Sequence, residues 1–196
     1  MDATAYLSNA VAAEDRLEPS RSELKGSFEP KLVQPPPRVL LAQLAREAAV
    51  ASTPELTGRP FTHRDDGPHC RTELLAVLIF SYGTGLYTLE RICDAIQKDV
   101  LFRSLIGPNA PYPDSIRAFR RQERTALKAG LKRFFELASA RRQEHLDCST
   151  YPAECSWLKA LRMHHPLPNR PETLEKLVVD RVNQATWTDR MMMLDY

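Results

Sequence analysis

The run from Leu74 to Tyr82 constrains the fold of this chain more than any other segment. Leu74, Leu75, Val77, Leu78, Ile79, Phe80 and Tyr82 are apolar around most of a helix. A helix with no polar face has to be covered on all sides, so the run predicts a central helix wrapped by other elements. It is far shorter than the roughly 18–20 apolar residues of a membrane span. At 196 residues and 43% apolar, the chain has enough material for one domain and a core.

Punctuation on either side of this run divides the chain. Gly83-Thr84-Gly85 stops the central helix, and Thr88 is placed to cap a second one with Leu89, Ile92, Ala95 and Ile96 on one face. Val100–Ile106 reads as a short helix closed by Gly107-Pro108. Pro111–Asp114 then turns the chain into the longest predicted helix, Pro113 to His145. Its core stripe is Ile116, Phe119, Leu127, Leu131, Phe134 and Ala138. Upstream, Arg38–Ala51 is a short amphipathic helix and Thr53–Pro68 a Pro- and Gly-containing loop. Residues 1–37, ending in Pro35-Pro36-Pro37, are expected to be disordered up to a stiff polyproline stop. Residues 146–196 form a C-terminal extension with helical pieces at Glu154–Met163 and Pro171–Thr186, whose Trp157, Leu158, Leu161, Leu177, Val178, Val179 and Trp187 are expected to dock on the core, the alternative being a face for a partner. No stretch alternates as a strand would. The expected class is all-α: a multi-helix domain over residues 38–145 with a helix-turn-helix-like core, one long basic helix and loosely structured ends.

The formal charge of +2 says little about partners, but its distribution says more. Lys and Arg nearly balance Asp and Glu everywhere except residues 113–145, which carry nine of the former against four of the latter. Within that segment Arg117, Arg121, Arg124, Lys128 and Lys132 recur at helical spacing, with Arg120 close by. On a continuous helix they form one stripe beside the core stripe, a shape suited to a phosphate backbone. A solvated basic surface that binds nothing has the same pattern.

Four cysteines (Cys70, Cys93, Cys148, Cys155) without a signal-peptide pattern lead to an expectation of reduced thiols and a cytoplasmic protein. Cys148, Cys155, His164 and His165 lack the two-to-four-residue spacing of zinc knuckles, so no metal or other cofactor is expected. His63, His69 and Cys70 are too isolated to suggest a catalytic pair. The glycines at 83 and 85 have neither the Lys nor the preceding strand of a phosphate loop. No small-molecule ligand is expected.

The order of elements from His69 to about Ala138 resembles the helical N-terminal domain of bacterial insertion-sequence transposases, the InsH-like group. Tyr82-Gly83-Thr84-Gly85-Leu86 is similar to that family's first helix junction, and Asp99-Val100-Leu101-Phe102 to its short helix. Pro111-Tyr112-Pro113-Asp114-Ser115-Ile116-Arg117-Ala118-Phe119-Arg120 is similar, without a gap, to its Pro-Asp-x-x-(Ser/Thr)-Ile-x-x-Phe-Arg segment. Tyr112 stands where the family usually has a helix-capping Asp, Glu90 where Arg is common, and Cys93 where Glu is common.

The resemblance implies a mobile-element protein whose helical domain recognises or synapses DNA ends. In the family an RNase H-like domain with three metal-binding carboxylates follows. Here Asp147, Asp180 and Asp189 are not framed as such a site, and the expectation is a non-enzymatic DNA-binding module. Arg117, Arg120, Arg121, Arg124, Lys128 and Lys132 would contact phosphate, with a second copy or a transposase as a further partner. The alternative is a helical module for protein–protein contact or self-association that does not bind DNA.

Overall fold

A computed structural model describes residues 36–54, 59–64, 66–146, 159–163, 168 and 170–194. The expected disorder of residues 1–37 falls, except for Pro36 and Pro37, outside the described residues, as do Cys148, Cys155, His164, His165, Asp147 and Trp157. The described chain is all-α apart from one short hairpin. In order it forms α1 (Pro37–Ser52), β1 (Pro60–His63), β2 (Asp66–Cys70), α2 (Arg71–Gly83), α3 (Leu89–Lys98), α4 (Val100–Ile106), α5 (Pro113–Gln122), α6 (Arg124–Leu146) and α7 (Pro171–Leu194). A helical turn at residues 159–161 precedes α7.

Helix α2 is the centre. Every residue from Leu74 to Gly83 is buried, and α1, α4, α6, α7 and β2 all lie against it. Its covering faces are apolar stripes at helical spacing: Leu41, Leu44, Ala45 and Ala48 on α1, and Leu127, Leu131, Phe134 and Ala138 on α6. Burying each large side chain of this set contributes roughly 1.5–3 kcal/mol. Two glycines let α2 and α6 approach closely. A Cβ on Gly83 would overlap the Phe134 ring, and one on Gly130 would overlap the Ile79 side chain.

Local chemistry sets the element ends. Pro36 is extended (φ −52°, ψ 143°), while Pro37 opens α1, where its missing N–H costs nothing. Thr88 caps α3 by accepting from Arg91 N, and Asp99 caps α4 by accepting from Leu101 N at 2.9 Å. Gly85 (φ +77°) and Gly107 (φ +75°) take the left-handed conformations that end α2 and α4.

Two expectations are corrected. The supposed loop before α2 contains an antiparallel hairpin, Pro60 opposite Cys70 and Phe61 opposite His69, with a bulge before the His63–Asp66 pair. Phe61 holds it down: its buried ring meets Phe119 of α5 edge-on, with centroids 5.1 Å apart. The single helix expected from Pro113 to His145 is two helices. Glu123 leaves helical geometry (φ −103°, ψ 29°), and its carboxylate pairs with Arg71 at the start of α2.

The C-terminal segment docks on the core, the first of the two readings of its apolar residues. Leu161, Leu174, Val178, Val182 and Ala185 join the same apolar cluster as α2 and α6, and α7 runs on to Leu194. Of the apolar residues expected to dock this segment, Leu161 and Val178 are buried, whereas Trp187 is 64% exposed.

Candidate functional site

The candidate surface is built on α5 and α6, and the break at Glu123 decides its shape. Helical spacing relates Arg117 to Arg121 within α5, and Arg124 to Lys128 and Lys132 within α6. It does not carry phase across the interruption. The expected single stripe is therefore two rows.

On α5, Ile116 and Phe119 are buried against the core, which turns Arg117 and Arg121 outward. Arg121 is exposed. Arg117 is half-buried and donates to Asp114 at 2.7 Å. On α6, Arg124 is exposed and donates to Asn183 of α7 at 3.0 Å, while Lys128 and Lys132 are half-buried. Among the described residues no ion pair engages Arg121, Lys128 or Lys132.

Arg120 is not on this surface. It is buried, donates to the Tyr87 carbonyl at 2.9 Å, and lies over the Tyr82 ring at 5.4 Å. The reason is phase: Arg120 follows Ile116 by four residues and Phe119 by one, so it shares their inward face. That signal is present in the sequence. Arg181 of α7 mirrors it from the other side, donating to the Tyr82 carbonyl (3.0 Å), the Tyr87 hydroxyl (2.5 Å) and the Leu161 carbonyl (3.3 Å). Two interior arginines thus hold the turn that follows α2. Burial pushes the Tyr87 phenol up, with Arg181 partly opposing it, and burial likewise pushes the Cys93 thiol up despite nearby Arg120. A thiol shifted in that direction is a poor nucleophile at neutral pH.

A second cluster anchors the start of α5. Asp66 of β2 accepts from Tyr112 N at 3.0 Å, and His69 Nε2 lies 2.9 Å from its other oxygen. Ser115, also buried, adjoins the same carboxylate. Burial would raise the Asp66 pKa, but the contacts from Ser115, His69 and Tyr112 outweigh it and hold the carboxyl below its ordinary value. Tyr112, at the capping position of α5, makes no side-chain cap, so Asp66 supplies from a distant strand an acceptor for a backbone N–H there. Serine, histidine and aspartate meet here, but the first two are buried and the Asp66 side chain is largely covered, and they join the hairpin to α5.

The hairpin also brings in a cation that the sequence reading passed over. Arg64, in the turn after β1, lies 3.8 Å from Asp114, the same carboxylate that Arg117 engages. No local excess of charge marks it in the sequence, since Asp65 and Asp66 follow it directly, and its nearness to α5 is purely tertiary.

A separate groove of about 660 Å³ runs between α1 and α4, lined by Val39, Ala42, Val50, Leu101 and Leu105 with Arg46 and Glu47 at its edge. Among the described residues no group of three or more His, Cys, Asp or Glu is placed to hold a metal ion, and no helix is long and apolar enough to cross a membrane. No family model, curated protein or solved structure matches the chain.

Proposed function

We propose that this chain is a transposase-derived, non-catalytic DNA-binding module that holds duplex DNA through phosphate contacts from α5 and α6. The observation that carries the reading is the pair of cationic rows in the one strongly basic segment, where Arg121, Lys128 and Lys132 have no acidic partner among the described residues. Arg117 and Arg124 lie in the same rows, and the buried Arg120 takes no part. Helices packed on one face and cationic on another present charge to a phosphate backbone without reorganisation.

The test is fluorescence anisotropy of a labelled random duplex at two salt concentrations. Four phosphate contacts give a salt slope of about −3.6, so affinity is expected to fall on the order of 10²-fold between roughly 50 and 200 mM salt. Reversing Arg121 and Lys128 to Glu should abolish binding while leaving the circular dichroism unchanged. Binding that survives the reversal would move the interface elsewhere.

The groove between α1 and α4 favours a second reading, a helical interaction module. Val50 is 52% exposed beside it and Val100 68% exposed at the start of α4. Under that reading the wild type shows no salt-dependent DNA affinity, and Val50→Asp disrupts self-association measured by light scattering.

A further inference from the structure

The hairpin turn is not a bystander to the α5 surface. Phe61 pins β1 on Phe119, and Asp66 accepts from Tyr112 N, so both strands of the hairpin are tied to α5. The turn between them therefore sits beside the helix's first residues. Arg64 occupies that turn with φ 51°, a left-handed conformation that a residue with a Cβ rarely adopts. Its side chain is 74% exposed, and its guanidinium approaches Asp114 at 3.8 Å. Asp114 also receives Arg117 at 2.7 Å, and Arg121 follows one helical turn later. The cations thus run Arg64, Arg117, Arg121, the last two about 6 Å apart along the axis at 1.5 Å per residue. Asp66, the acidic residue that opens β2, is turned inward to His69 and Tyr112 N.

We infer that the hairpin turn is a second arm of the polyanion surface, with Arg64 contacting duplex phosphate beside α5, and that Asp114 is a resident anion whose place the phosphate takes. This rests on the DNA-binding reading above. The chemistry is an exchange of acceptors. In the free protein the Asp114 carboxylate partly neutralises Arg64 and Arg117. When DNA is bound, phosphate oxygens receive the same guanidinium donors, which suit them bidentately. Asp114 then tempers affinity, because each arginine leaves one anion to meet another.

The test measures anisotropy salt slopes for wild type, Arg64→Asn, Asp114→Asn and Lys176→Gln. Asn tolerates the left-handed conformation at position 64. Lys176, exposed on α7, controls for loss of one positive charge anywhere. Arg64→Asn should lower the slope by about 0.9 and weaken binding about tenfold at roughly 50 mM salt. Asp114→Asn should tighten binding severalfold, and Lys176→Gln should change neither. If wild type binds but Arg64→Asn keeps its slope, or Lys176→Gln loses as much, the second arm is wrong while the α5–α6 reading stands. If wild type shows no salt-dependent binding, both fall together. An Asp114→Asn variant that binds no tighter than wild type would remove the exchange.

Discussion

Asp66 shows how much one carboxylate can organise. It joins β2 to the start of α5 through Tyr112 N and Ser115, with His69 of its own strand beside it, and those contacts hold its pKa below the ordinary value. The sign follows from linkage. A carboxyl depressed in the folded state stabilises the protein above its unfolded pKa, near 3.8, and that contribution is lost as pH falls through the lower folded value. Asp66→Ala should therefore cost about 1 kcal/mol at pH 7, since it removes the acceptor of Tyr112 N. The difference from wild type should shrink below about pH 4, as urea midpoints across pH would show. An undiminished difference at pH 3 would mean that packing, not charge, carries the effect. Arg120 teaches the complementary lesson. It belongs to the basic segment by composition, yet its phase with Ile116 and Phe119 sends it inside. Reading charge before phase assigns it to the wrong face.

At the scale of elements, the contact between α2 and α6 is set by side chains that are absent. Gly83→Ala would place a methyl group into the buried Phe134 ring, which cannot withdraw from a filled core. Overpacking of this kind costs about 1–3 kcal/mol, more than the helix-propensity gain of about 1 kcal/mol. Thermal melting should show a net loss, and an Ala variant as stable as wild type would mean the ring has room to move. Elements with strong punctuation were legible in the sequence. Glycines and capping residues bound α2, α3 and α4, and their limits fall within a residue or two of expectation. The hairpin was not legible, because its strands are short, carry Pro60, Gly67 and Pro68, and hold few inward residues besides Phe61 and His69. The break at Glu123 was hidden as well. The apolar positions 116, 119, 127 and 131 run through it at helical spacing, and the partner of Glu123 there, Arg71, is a tertiary one. The two-row shape of the candidate surface, and Arg64 beside it, were lost for the same reason.

Across the whole molecule, the described residues from Pro36 to Leu194 form one compact unit, and α7 belongs to it rather than hanging from it. The tie is Arg181, whose guanidinium reaches Tyr82, Tyr87 and Leu161 from a buried position. Arg181→Ala should cost about 2–3 kcal/mol, as expected for charge-assisted bonds removed from the interior, and lower Tm by roughly 4–10 °C. Melting should remain a single transition, because α7 shares its apolar contacts with α2 and α6. A separate early transition for α7 would show that the C-terminal segment is an independent layer.

The burial of α2 has a consequence for how this protein can fail. A helix with no polar side has no stable resting place in water, so whatever uncovers it releases a strip of chain that adheres to its like. Opening α1 or α6 by itself is thus a route to precipitation rather than to a soluble intermediate. The fold persists as a closed whole or is lost to aggregation, and its lifetime in solution is governed by how often those two covers lift.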